Sequence, residues 1–173
     1  MIFLENHQPL LSGNDISLAS MNDDVKWMQR AFELAHKAKA LDEVPVGAVI
    51  VYHDKIIGEG WNQPISSNDP TAHAEIIALR DAGNNVDNYR LPDATMYVTL
   101  EPCAMCAGAI VHARLSKIIF AAADPKTGAC GSIFNLLQTE ELNHKVDIDK
   151  GIMEDECRAL IQSFFKEKRN MSP

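Results

Sequence analysis

The chain has 173 residues, 46% of them hydrophobic and 23% charged, the size and composition of one globular domain with a real core. Sixteen basic residues against 24 acidic ones give a net charge of −8, which argues against binding nucleic acid over the whole surface and leaves a local basic patch open. No apolar run approaches the roughly 20 residues that a membrane span needs.

Residues 1–20 begin Met1-Ile2-Phe3-Leu4 but then carry Glu5, Pro9, Gly13 and Asp15, without the basic start and long apolar core of a secretory signal. They show no clear periodicity. They are expected to form a loosely ordered N-terminal leader, with Met21 a candidate true start and residues 21–173 a single domain. The absence of a secretory signal predicts a reducing cytoplasm, in which Cys103, Cys106, Cys130 and Cys157 stay as thiols.

From Asn22 or Asp23 a helical pattern runs to about Ala40, with Met28, Ala31, Phe32, Ala35 and Ala38 on one stripe. Val44 to Tyr52 is a short, β-branched run that predicts a buried strand. His53-Asp54 turns the chain into an antiparallel partner, Lys55 to Trp61. A polar loop, 62–71, leads to a helix that carries His73 and Glu75. Asp69 or Thr71 is its expected cap, Pro70 fits its first turn, and Gly83 is its expected end. Thr95 to Leu100 is a third strand, and Cys103 to Arg114 a helix of small residues suited to close packing on a sheet. Lys117 to Ala122 is a fourth strand. Residues 124–144 form a long connection with a short helix near 133–138, then Val146 to Ile148 a fifth strand. The last helix has the clearest stripe: Met153, Cys157, Leu160, Ile161, Phe164 and Phe165. Helices alternating with strands after an initial hairpin predict a mostly parallel central sheet with helices on both faces.

The chemistry-bearing residues lie between 73 and 106. His73 with Cys103 and Cys106 is a three-ligand set for zinc, and catalytic zinc sites keep three protein ligands with the fourth position open. The two cysteines, three apart at a helix start, share one face, where the helix dipole favours thiolates. Glu75 beside a zinc-activated water is placed to move protons. Residues two apart in mid-helix point to different sides, so His73 and Glu75 converge only if the helix start bends the geometry. The pattern H-x-E with P-C-x-x-C is the general signature of zinc-dependent nucleobase deaminases. The alternative is a closed zinc knot with Cys130 as fourth ligand and Glu75 merely solvated. Cys130 and Cys157 otherwise read as ordinary thiols.

At these residues, and well beyond them, the sequence resembles the bacterial tRNA-specific adenosine deaminases. The likeness covers about residues 24–169. It includes Glu43-Val44-Pro45-Val46-Gly47-Ala48, Gly58-Glu59-Gly60-Trp61-Asn62, Asp69-Pro70-Thr71-Ala72-His73-Ala74-Glu75-Ile76, Asn88-Tyr89-Arg90-Leu91, Val98-Thr99-Leu100-Glu101-Pro102-Cys103-Ala104-Met105-Cys106-Ala107-Gly108-Ala109 and Asp124-Pro125-Lys126-Thr127-Gly128.

The resemblance implies an α/β class chain with the three-layer α/β/α cytidine-deaminase-like fold, its mixed five-stranded sheet carrying helices on both faces. It implies a cytoplasmic homodimer with one Zn2+ per subunit, acting on a tRNA anticodon stem-loop to convert wobble adenosine to inosine. By position it makes His73, Cys103 and Cys106 the zinc ligands and Glu75 the proton shuttle. Asn62 would hydrogen-bond the flipped base and the backbone around Ala74 would read its edge. Asp124 and Lys126 would line the anticodon groove, which Phe165, Lys166, Lys168 and Arg169 would complete.

Read from the residues alone, Asn62 could equally cap a loop, Asp124-Pro125-Lys126 could be a plain turn, and the basic tail could be a solvated helix end. Two other functions stay open. One is deamination of a free base or nucleoside such as guanine or cytidine. The long 124–144 connection counts against the cytidine version, because its length suits a parallel fifth strand where small-substrate cytidine deaminases make a tight hairpin. The other is a non-catalytic zinc module that binds RNA, which would need a fourth protein ligand.

Overall fold

The computed structural model describes the backbone of residues 13–171 and the side chains of residues 20–171. β1 (Gly47–Tyr52) is buried except at Tyr52, as its unbroken apolar run requires. His53 and Asp54 both take left-handed backbone (φ 46° and 56°) and reverse the chain tightly into β2 (Lys55–Trp61). β3 (Thr95–Leu100), β4 (Lys117–Ala122) and β5 (Asp147–Lys150) complete a five-stranded sheet of order β2-β1-β3-β4-β5. β1 is antiparallel to both β2 and β3, while β3, β4 and β5 run parallel. The sheet is therefore mixed, its parallel half confined to the last three strands. The 124–144 connection does deliver a parallel β5, starting one residue later than the expected 146.

Alternation along the strands separates two cores. Ala48, Ile50, Met96, Val98, Ile118 and Phe120 face α3 (Ala74–Val86) and α4 (Ala104–His112). Val49, Val51, Tyr97, Ile119 and Ala121 face α1 (Gly13–Ala40) and the Cys157 side of α5 (Glu154–Met171). The result is the three-layer α/β/α arrangement. Cys157 lies in the core, as its place on the apolar stripe requires. Phe165, on the same expected stripe, is exposed.

Several boundaries differ from expectation. α1 starts at Gly13, ahead of Asn22 and Asp23, so residues 13–20 are its first turns; residues 1–12 of the expected leader lie outside the described residues. Gly83 does not end α3. The helix continues to Val86 and stops at Asp87, whose left-handed backbone (φ 53°) sends its N–H back to the Gly83 carbonyl. The cap of α3 is His73 rather than Asp69 or Thr71; Asp69 instead accepts bonds from the Thr71 N–H and hydroxyl (2.8 and 2.7 Å). The loop after β2 holds a short helix, α2 (Pro64–Ser67). The helical turn expected near 133–138 is a 3-10 turn at Leu136–Gln138.

Close packing of helix on sheet comes from the strand side. A side chain at Gly60 would strike the Ala74 carbonyl and lie 2.6 Å from the Ala78 nitrogen, so only glycine lets α3 settle here. Gly108, inside the small-residue helix, faces open space. Among the described residues no helix is long and apolar enough to cross a membrane.

One end of the sheet gathers four strand ends: Gly47 opposite Trp61, and Leu100 opposite Ala122. The segments leaving that end carry Asn62, His73, Cys103 and Asp124.

Candidate active site

His73 caps α3 with extended backbone (φ −72°, ψ 154°), and Cys103 caps α4 in the same manner (φ −75°, ψ 174°). His73 thus stands outside the helix while Glu75 sits in its first turn, and this lets two residues two apart approach one point. Cys106 follows Cys103 by three positions and is fully buried. His73 Nδ1 lies 3.6 Å from Cys103 Sγ and 3.6 Å from Cys106 Sγ. These three donor atoms lie within 4.8 Å of one another and are the group able to hold a metal ion among the described residues. Cys130 is not part of it. That thiol is buried with its sulfur 4.0 Å from the Pro102 carbonyl, so a closed four-ligand knot is not built.

The electrostatics follow from packing charge-bearing groups together out of water. The Cys106 S–H donates to Cys103, which, opposed by burial and helped by His73, holds Cys103 down at about 4 as a thiolate. The same contact and burial hold Cys106 protonated, its pKa pushed well above the thiol range. The Cys103 thiolate raises His73. A cation bound by all three groups displaces the Cys106 proton. Glu75 is 4% exposed. Burial pushes its carboxyl up to about 7, against the pull of its own backbone N–H and of His73, and the carboxyl touches Cys106. A carboxyl poised there can take and return a proton near neutral pH.

Asn62, buried at the end of β2, accepts the Ala74 N–H on Oδ1 at 2.8 Å. That fixes its amide orientation and leaves Nδ2 as the donor. The Ala74 N–H is therefore engaged with Asn62.

Asp124 closes a turn. Its carboxylate accepts the Lys126 N–H (2.9 Å), the Thr127 N–H (3.2 Å) and the Thr127 hydroxyl (2.6 Å). Burial alone would raise its pKa, but these bonds outweigh it and hold the carboxyl below its ordinary value. Lys126 is exposed beside it. On α5, Phe165 and Arg169 are exposed, and Lys168 pairs with Asp42 and sits 5.6 Å from the Phe164 ring. Lys39 of α1 also ties to Ser163 and Glu167 (3.2 and 2.9 Å), so the basic end of α5 is anchored to the end of α1 that leads into Gly47.

Two buried carboxylates were not singled out from the sequence. Glu43 (1% exposed) accepts the Ser66 N–H at 2.7 Å and the Ile65 N–H at 3.3 Å, holding α2. Glu101 (2% exposed) accepts the N–H groups of Asp124, Cys130 and Ser132, each at 3.0 Å, and the Ser132 hydroxyl. The available signal was an acid at the edge of a buried run, one or two residues before a proline, Glu43-Val44-Pro45 and Glu101-Pro102.

The sheet order, the two capped helices and the cluster at their N-termini define a deaminase of the cytidine-deaminase-like class. The profile of MafB19-like deaminases matches residues 22–169. The chain belongs to the bacterial tRNA-specific adenosine deaminases. It is 52% identical over 147 residues to a tRNA-specific adenosine deaminase of Haemophilus influenzae (84% of this chain, 85% of the relative). It is 42% identical over 149 residues to one of Bacillus subtilis (86% and 92%). Among solved structures it resembles a chain from a study of A-to-I editing by tRNA:A34 deaminases at the wobble position of transfer RNA. There the TM-score is 0.76 and the identity 40%, over 78% of this chain and 98% of that one.

Proposed function

We propose that this protein hydrolytically deaminates adenosine to inosine at the wobble position of a tRNA anticodon. Membership of the family supplies the substrate. The observation that carries the chemistry is a buried carboxyl, Glu75, packed against a three-donor cluster that stops one ligand short of closure.

The cluster fits zinc. Zn–N near 2.05 Å and Zn–S near 2.3 Å at a tetrahedral angle put N and S about 3.6 Å apart, and His73 Nδ1 stands 3.6 Å from each sulfur. Two thiolates and an imidazole also suit zinc chemically. Zinc held by His73, Cys103 and Cys106, one per subunit, would supply a water acidic enough to attack at neutral pH.

The rest falls to this chain's side chains. Asn62 presents Nδ2 to an acceptor on the splayed base, held in that orientation by Ala74. Glu75 takes the proton of the attacking water and delivers it to N1 of adenine as oxygen bonds to C6. It then carries the remaining hydroxyl proton to the exocyclic amine; the C6–N bond breaks, ammonia leaves and inosine remains. The Asp124 turn with Lys126, and the α5 end with Phe165 and Arg169, supply exposed polar, basic and aromatic groups for an anticodon loop, whose recognition rests on phosphates and splayed bases. Lys168 reaches the same end of the fold, where Asp42 shares it.

A homodimer belongs to the same reading. The groove of about 890 Å³ between α3 and α4, lined by Ile76, Leu79, Tyr89 and Ala109, offers a second copy an apolar surface. A cytoplasmic setting is proposed because its substrate is tRNA and its thiols must stay reduced. Inosine formation in a stem-loop with a wobble adenosine tests the function, and its absence with the metal-loaded protein overturns it.

A further inference from the structure

We propose that Glu101 is a positioning residue for RNA: its buried carboxylate holds the 124–132 loop so that Asp124 and Lys126 are presented to the anticodon. This rests on the function proposed above and names a further residue within it.

Among the described residues, every hydrogen bond to the Glu101 carboxylate comes from that loop. Oε1 accepts the Cys130 and Ser132 N–H groups, and Oε2 accepts the Asp124 N–H and the Ser132 hydroxyl. Three of these partners are backbone N–H groups that can only donate, so both carboxylate oxygens serve as acceptors for the loop. The loop is shaped to the carboxylate. At Gly128 a Cβ would run into the Glu101 carboxyl and lie 2.6 Å from the Asp124 carbonyl, so the chain can wrap over the acid only without a side chain there. The Asp124 turn stands on this base: its N–H is fixed by Glu101, and its own carboxylate then fixes the backbone of Lys126 and Thr127.

The neighbouring metal ligand is held by other bonds. The Glu101 N–H reaches the Ala122 carbonyl (2.8 Å) and the Ala107 N–H reaches the Cys103 carbonyl (2.8 Å), both outside the loop, while the middle of the loop meets this segment through the Ala129 N–H on the Pro102 carbonyl (2.8 Å) and the pairing of Gly128 with Cys103. Losing the Glu101 carboxylate therefore loosens the two ends of the loop, at Asp124 and at Cys130–Ser132, while the sheet and α4 bonds keep Cys103 seated.

The test is a double-mutant cycle on the metal-loaded protein, with an anticodon stem-loop bearing a wobble adenosine as substrate. Glu101→Gln places an amide N–H against donors. It should leave metal content unchanged and kcat within about twofold, while KM rises on the order of tenfold, the scale of one unsatisfied buried group. Lys126→Ala should raise KM in the parent and do little further in the Glu101→Gln background, because the loop is already misplaced. Ser132→Ala, which removes one hydroxyl donor and keeps the carboxylate, guards against a misfolded variant. It should raise KM about two- to threefold with the same coupling to Lys126. Equal effects of Lys126→Ala in all backgrounds, a fall in kcat at constant KM, or loss of metal from Glu101→Gln would overturn the assignment. A parent protein inactive on the stem-loop would overturn the substrate reading and this one together, whereas an active parent with an additive cycle overturns this one alone.

Discussion

Asn62 Oδ1 accepts the Ala74 N–H at 2.8 Å, tying the residue that follows β2 to the residue that separates His73 from Glu75. One side chain thus orients the start of α3 and, in the proposed function, is itself oriented for substrate. The two roles separate by chemistry. Asn62→Asp keeps the acceptor for Ala74 and loses the Nδ2 donor. It should fold and hold metal like the parent, while kcat/KM on the stem-loop falls on the order of 10²-fold, as expected when a buried donor to substrate is replaced by a repelling oxygen. Steady-state kinetics beside metal analysis measures this; unchanged kcat/KM would remove Asn62 from base recognition.

Glu75 is expected to act on protons and not on binding. Glu75→Ala should retain metal and stem-loop affinity and lose on the order of 10²–10⁴-fold in turnover, the range for a positioned acid–base group. Single-turnover assays with a binding isotherm check it. Retained turnover would show that some other group carries the protons.

Gly60 is expected to be intolerant of any side chain. Gly60→Ala drives a methyl into the Ala74 carbonyl and the first turn of α3. The strain should cost about 1–3 kcal/mol or more and displace His73 and Glu75, so that metal affinity falls along with stability. Denaturant unfolding and metal titration read both, and a fully stable variant with parental metal affinity would contradict the packing described.

Glu43 is expected to be structural. Glu43→Gln leaves an N–H donor among the backbone donors of Ile65 and Ser66. It should lower stability by about 1–3 kcal/mol and raise amide exchange in 64–67, which hydrogen-exchange mass spectrometry resolves by segment.

The parts of this fold legible in the sequence are those written in short-range pattern. β2, β3 and β4 fall on the expected residues because turn residues or a proline bound each of these short runs. The clustering of His73, Cys103 and Cys106 was legible because a set of donors able to hold a metal needs few residue types at few spacings. Gly83 misled because a helix end is set by where a left-handed residue can form, and Asp87 does that one turn later. Asn22 and Asp23 resemble caps yet lie inside α1, since a cap residue is only a cap if the preceding chain is not helical. Glu43 and Glu101 were passed over for a different reason. Their partners are backbone N–H groups some 20 to 30 positions away, and backbone donors carry no side-chain signature.

The most direct measurement offers metal-loaded protein a tRNA anticodon stem-loop with adenosine at the wobble position and, in parallel, free adenosine, cytidine and guanine. The account predicts inosine at that one position of the RNA, with one ammonia released per inosine and no turnover of the free compounds. Deamination of a free compound with the RNA left unchanged would contradict it.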